Sequence, residues 1–382
     1  MKLLYCIPGL YNPGGMERVL TQKVNYLADK GYEIDIATTE QKKRKPYFPL
    51  HDKIRIIDLN INFNDEFNSN LFIKTITHFK KNKQYKDALI NLQKKENYDV
   101  IISLCGKEIE FISSLRRRSK VVAELHFAQN FKEQFLVSRN NNLSNRILGK
   151  FMTKLFIRST QKLDKLVILT KEDELLWKKT NDNVIQIYNS CPFNEYYFHE
   201  SVIKRFISVG RLDAQKGYDY IVDVWKKVVE SYPDWVLDIY GKGEWEELLQ
   251  NKIRELGLSN NVFLRGVSND IKNEYRKSYG YILTSRYEGF GMVLVEGMSQ
   301  GLPCVAFDCK SGPKEIIDDS INGYLVDLGD TETMSNRIKC LIGDINKRNA
   351  FSKAAIEKAK LFSESNIMKQ WENLFTTLCD GN

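Results

Sequence analysis

The sequence predicts an α/β chain of two doubly wound domains, and three observations carry that expectation. At 382 residues the chain exceeds one usual domain. Short apolar runs alternate with amphipathic helical stretches, the pattern of parallel sheets covered by helices on both faces. The series then starts over near residue 205, after an irregular stretch at 189–204 that holds Cys191-Pro192 and a cluster of aromatic and polar residues.

Each element follows from its local pattern. Residues 2–7 read as a buried strand and 16–30 as a helix ended by Gly31. Strands follow at 33–38, 100–104, 121–124, 167–169 and 184–187. The second series has strands at 205–209, 236–240, 262–264, 281–284, 305–307 and 324–326, with a helix over 219–230. A last amphipathic stretch at 366–378 carries Trp371, Leu374 and Phe375 on one face. The expected domains are 1–190, 191–364 and a terminal helix, 365–382, that packs back across them.

Composition narrows the class. Hydrophobic content of 42% and charged content of 28% are ordinary for a soluble globular protein. No apolar run approaches the roughly 18 residues of a membrane span. Pro8 and Gly9 interrupt the apolar start too early for a secretory signal. Seven cysteines, an odd count without a C-x-x-C pair, argue against a disulfide framework and a zinc site. The expected location is the cytoplasm, including a peripheral position on the inner face of the cytoplasmic membrane. The charge is uneven: residues 1–190 carry 33 Lys and Arg against 21 Asp and Glu, a net +12, and residues 191–382 carry 24 against 28, a net −4. The first half is suited to something anionic.

Four motifs carry chemistry. In P-G-L-Y-N-P-G-G-M-E-R-V-L, Gly9, Gly14 and Gly15 lie where a strand runs into a helix, so backbone can approach a ligand and the free N–H groups of the first turn attract a phosphate. An ordinary strand-to-helix turn has the same look. It is not G-x-G-x-x-G, and the acidic residue that a dinucleotide ribose requires is missing, which argues against a nicotinamide-dependent dehydrogenase. V-G-R-L-D-A-Q-K-G-Y sets Arg211 and Lys216 just beyond a strand end, where ligands collect in open α/β sheets; a guanidinium fork and a point charge suit a diphosphate. In S-R-Y-E-G-F-G-M-V-L-V-E-G, Glu288 lies in a glycine-flanked loop. Phe290, Gly291 and Met292 then offer N–H groups at a helix start, and Glu296 follows within that helix. A glycosidase pair would flank a scissile bond, whereas these two carboxylates share one local element beside an anion site. The fourth motif, S-G-P-K-E-I-I, opens another helix after a glycine-proline loop at Ser311.

The combination G-R-L-x-x-x-K-G, E-G-F-G-x-x-x-x-E and G-P-x-E-I-I resembles glycosyltransferase family 4, retaining enzymes of the GT-B fold, over nearly the whole chain. The opening G-G-M-E-R-V-L is most similar to members that assemble bacterial capsules, O-antigens and related glycans. The resemblance implies two facing Rossmann-like doubly wound domains with a cleft between them, the donor being held by the C-terminal one. It implies that Arg211 and Lys216 bind the donor diphosphate, and that Glu288 contacts the donor sugar with Gly289 and the amides of Phe290, Gly291 and Met292 beside it. Glu296 would hold the ribose. Gly14 and Gly15 would bring the first helix near the distal phosphate, and His126, in A-E-L-H-F, would face the reacting sugar. Gly241, Gly243 and Arg265-Gly266 would line the base. The serine in C-K-S-G-P departs from the family, which more often has Gly or Thr there.

The implied reaction moves a hexosyl or N-acetylhexosaminyl unit from a UDP-sugar to a glycan acceptor, polyprenyl-diphosphate-linked, with an alpha linkage; a GDP-mannose-dependent mannosyltransferase is the alternative within this fold. No D-x-D occurs, so a metal clamp and any other cofactor are not expected. Arg146, Lys150, Lys154 and Arg158 recur every four residues, with apolar residues on the other face. That helix suits an anionic membrane or a lipid-diphosphate acceptor, and equally a solvated helix whose apolar side packs on the sheet. Arg116-Arg117-Arg118 and the lysines of 80–86 add to the basic surface. A nucleic-acid-binding protein would add stacking platforms or a reading helix, and neither is found.

Overall fold

The computed structural model describes residues 1–66, 71–129, 131–139, 142–200 and 203–380. Two compact units emerge, one of Met1–Tyr188 with Ile367–Asn382 and one of Asn189–Asn366.

The first unit contains seven parallel strands. In chain order they are β1 (Lys2–Ile7), β2 (Glu33–Thr38), β3 (Arg55–Asp58), β4 (Val100–Ser103), β5 (Lys120–Leu125), β6 (Lys165–Ile168) and β7 (Val184–Gln186). Their spatial order is β3-β2-β1-β4-β5-β6-β7. Leu3 stands opposite Ile34 on one side and Val100 on the other. Side chains alternate along β1. Leu3, Tyr5 and Ile7 pack with Trp371 and Phe375, while Leu4 and Cys6 pack with Tyr85 and Leu89. Both faces of the sheet are therefore covered, which explains why β1 reads as one apolar run.

The terminal helix (Glu364–Asp380) buries Ile367, Met368, Trp371, Leu374, Phe375 and Leu378 at helical spacing. Those residues complete the core of the first unit. Several elements escape the sequence reading, among them β3 and the long helix Leu71–Glu96. The helix falls in the lysine-rich stretch, and its anchors Tyr85 and Leu89 are sparse among charges.

The second unit has six parallel strands: β8 (Arg205–Val209), β9 (Val236–Tyr240), β10 (Val262–Gly266), β11 (Gly280–Leu283), β12 (Cys304–Phe307) and β13 (Gly323–Val326). Their order, β10-β9-β8-β11-β12-β13, reverses between β8 and β11. Ligands of open α/β sheets bind outside the carboxyl ends of strands at such a reversal. The helix Tyr218–Val229 covers one face through Ile221, Val222, Trp225 and Val228. Each sheet is thus a Rossmann-like, doubly wound layer.

Candidate functional site

The strands that flank the reversal in the second unit deliver two loops to one place. From β8 comes Gly210 to Gly217, and from β11 comes Thr284 to Gly291. The loops touch at Gly217, which has φ +62°; a Cβ there would lie 2.2 Å from the carbonyl oxygen of Thr284. Only glycine serves at such a point. Thr284 Oγ1 donates to the Lys216 carbonyl at 3.2 Å. Arg286 binds Asp219 through both nitrogens, at 2.9 and 2.7 Å, and the Ala214 carbonyl at 2.8 Å. Arg286 is a structural clamp that the motif reading did not single out.

The clamp sets Lys216 Nζ 2.7 Å from Glu288 Oε1, and Ser285 Oγ donates to the same oxygen at 2.5 Å. Glu288 is 6% exposed, so its carboxylate is held by hydrogen bonds rather than by water. Cys309 stands close enough to Glu288 to feel its charge, but burial pushes its thiol up to about 12. It stays protonated and is no nucleophile. Arg211 is the exposed partner. Its guanidinium reaches Asp213 at 3.2 Å and Gln215 at 3.1 Å, with 72% of the side chain open to solvent.

The backbone around this pair is shaped by glycine. Gly291, φ +93°, caps the helix Met292–Ser299, whose first N–H groups have no partner within the helix. The side chain of Phe290 is buried against Phe362 at 5.5 Å; its amide, not its ring, is what a ligand could use. Glu296 is 6% exposed and accepts from the Tyr275 hydroxyl at 3.0 Å. Gly241, φ +147°, could not carry a Cβ, which would lie 1.8 Å from the Gly210 carbonyl, and its amide donates to the Gly266 carbonyl at 2.7 Å. The ends of β8, β9 and β10 are thereby drawn together at Gly210, Gly241 and Gly266. Arg265 turns to the buried Asp238 at 2.8 Å, so the structure pairs it within the sheet. Ser311 adopts φ +61°, and its buried hydroxyl has no hydrogen-bond partner among the described residues.

In the first unit, Gly14 caps the helix Gly15–Asp29. A Cβ on Gly15 would meet nothing within 4 Å among the described residues. Glu17 occupies the first turn, its carboxyl raised by burial. His126 follows β5, with Nε2 3.2 Å from Glu124 Oε1. Lys23 Nζ lies 2.5 Å from that same oxygen and 3.6 Å above the Trp371 ring. Burial pushes the Glu124 carboxyl up, but Lys23 and His126 outweigh it and hold the group at about 2. Lys23, Glu124 and Trp371 are brought together only by folding, so no local motif announces the cluster.

Arg146, Lys150, Lys154 and Arg158 lie exposed along the helix Leu143–Thr160. Most of its apolar residues do not pack on the sheet: Ile147 is 61% exposed and Phe151 57%, while Phe156 is buried in the core of the first unit. Among the described residues no group of three or more His, Cys, Asp or Glu is arranged to hold a metal ion, and no helix is long and apolar enough to cross a membrane.

Residues 200–358 match the sequence model of a family described as glycosyl transferases group 1. An uncharacterized glycosyltransferase of Haemophilus influenzae is 30% identical over 98% of this chain and 99% of its own length. The amylovoran biosynthesis glycosyltransferase AmsD of Erwinia amylovora is 28% identical, with 98% and 99% covered. Among solved structures, a TarM variant of S. aureus in complex with fondaparinux, alpha-GlcNAc-glycerol and UDP superposes with a TM-score of 0.79 at 18% identity, covering 98% of this chain and 99% of that one.

Proposed function

Because this chain belongs to the glycosyl transferases group 1 family and is a glycosyltransferase of the GT-B fold, we propose that its second unit binds a UDP-sugar and that Lys216, Arg211 and Glu288 carry the transfer. The observation behind this is the Lys216–Glu288 pair, 2.7 Å apart at the sheet's order reversal beside an open helix start. As the anomeric C–O bond breaks, negative charge builds on the diphosphate. Lys216, Arg211 and the amides of Gly291 and Met292 stabilise that charge. Glu288 accepts from a hydroxyl of the donor sugar, while Glu296 takes the ribose diol and the glycine-lined strand ends take the base. The acceptor oxygen forms the new bond on the same face, and its proton passes to the departing phosphate, so configuration is retained and the linkage is alpha.

His126 and the first helix start at Gly14 and Gly15 serve the sugar and acceptor from the first unit. The acceptor we propose is a polyprenyl-diphosphate-linked glycan in bacterial surface polysaccharide synthesis, the work of a family 4 enzyme of the capsule or O-antigen type. The name of the Erwinia relative supports the pathway class, and the UDP in the TarM complex supports the nucleotide.

The test is a panel of UDP- and GDP-sugars scored for nucleoside diphosphate release, with and without a polyprenyl-diphosphate glycan. Lys216→Ala and Glu288→Ala should each lose about a hundredfold or more in turnover while their circular dichroism stays that of the wild type. Full turnover in both variants refutes the site.

A further inference from the structure

The helix Leu143–Thr160 is built inside out. Asn142 starts it, accepting from the Asn145 amide at 2.8 Å. The face that packs on the first unit is largely small or polar: Gly149 and Thr160 are buried and Thr153 half-buried, with Phe156 and the half-buried Ile157 as its large anchors. Gly149 allows a close approach, since a Cβ there would lie 2.6 Å from Cα of Glu133. Phe156 stacks edge-on against Phe131 at 5.4 Å and Trp177 at 6.1 Å.

The apolar face points to solvent. Leu143 is 73% exposed, Ile147 61%, Leu148 47%, Phe151 57%, Met152 37% and Leu155 44%. At 100° per residue these six make one continuous stripe over a helix about 27 Å long. Scattered single exposures need no explanation, but a contiguous apolar stripe marks an interaction surface. Along one edge of the stripe run Arg146, Lys150, Lys154 and Arg158, and the helix contains no Asp or Glu. Lys150, Thr153, Lys154 and Arg158, with Glu133 from the neighbouring helix, also line an open groove of about 340 Å³ on that flank.

We propose that this helix docks the enzyme on an anionic lipid leaflet, its apolar stripe sunk to the depth of the acyl boundary and its cations among the headgroup phosphates. Charge selects this occupant over a second copy of the chain. A two-fold contact would set four cations against four cations with no acid on either helix. The inference gives the proposed lipid-linked acceptor its surface, and rests on that reading for its purpose only.

The test is co-sedimentation of the full chain with vesicles of phosphatidylcholine alone or with about one-third phosphatidylglycerol. The wild type should pellet with the anionic vesicles at least tenfold more than with the neutral ones. That preference should collapse as salt rises from about 0.05 to about 0.5 M, where screening shortens to a few ångströms. Ile147→Asp with Phe151→Asp should abolish binding at both salts while donor-dependent UDP release in solution is unchanged, and Lys150→Gln with Lys154→Gln should weaken anionic binding at least tenfold. A wild type that stays in the supernatant, an aspartate variant that pellets normally, or a concentration-dependent dimer lost on Phe151→Asp overturns the proposal. Loss of UDP release with vesicle binding intact defeats the transfer reading alone and leaves the docking surface standing.

Discussion

A methyl group at Gly217 would lie 2.2 Å from the Thr284 carbonyl oxygen in a left-handed backbone, whereas one at Gly15 would meet nothing within 4 Å among the described residues. The first glycine is required by the fold; the second is not, since alanine is the better helix former. Gly217→Ala should therefore cost several kcal/mol of stability, read by urea denaturation, and disturb the Lys216–Glu288 pair with it. Gly15→Ala should leave the denaturation midpoint unmoved or slightly raised, yet lower UDP release if the helix start meets a phosphate. Unchanged turnover in Gly15→Ala would remove that helix from the donor site. Legibility differs in the same way. Arg211, Lys216 and Glu288 can be found in the sequence because each follows a strand end within a glycine-marked loop. Arg286 cannot, because its role depends on a bidentate contact with Asp219 that no spacing announces.

Three elements converge where β5, the first helix and the terminal helix bring Glu124, Lys23 and Trp371 together. Lys23 and Glu124 are separated by 101 residues, so nothing local in either segment reveals the pair. What is local was readable: A-E-L-H in a buried strand, and an amphipathic terminal stretch. The Glu124 carboxyl is held at about 2 against an ordinary value of 4.5. A depressed carboxyl stabilises the fold above its unfolded value, and that contribution fades as pH falls from 4.5 toward 2. Removing one partner alone would strand a buried charge, so the informative variant is Glu124→Gln with Lys23→Met. Its stability should vary with pH across that window by about 3 kcal/mol less than that of the wild type, measured by urea denaturation at each pH. Parallel pH curves would mean that the pair contributes nothing to acid stability. The long helix Leu71–Glu96 shows the opposite limit: its apolar anchors are too thinly spread for periodicity to reveal it.

The alternation that predicts two parallel sheets is legible over the whole chain because both faces of each sheet are buried, leaving β1 from Leu3 to Ile7 as an unbroken apolar run. The order reversal beside β8 is not legible, since strand order is set by pairing and not by local pattern. That reversal, rather than overall charge, decides where an anion can bind. The second half of the chain is net −4, so its general field repels a nucleoside diphosphate, and attraction must come from Arg211, Lys216 and backbone amides at short range. Short-range contacts with a desolvated pair are screened much less by salt than exposed charges are. UDP at about a hundred times its dissociation constant should stabilise the protein by about 2.7 kcal/mol, a rise of several degrees in the midpoint of a thermal scan. The shift should persist in about 0.5 M salt, where the preference for anionic vesicles is expected to collapse, and should fall away in Lys216→Ala. A UDP shift that survives Lys216→Ala but disappears with salt would assign nucleotide binding to exposed cations elsewhere and overturn the placement of the donor at the β8–β11 reversal.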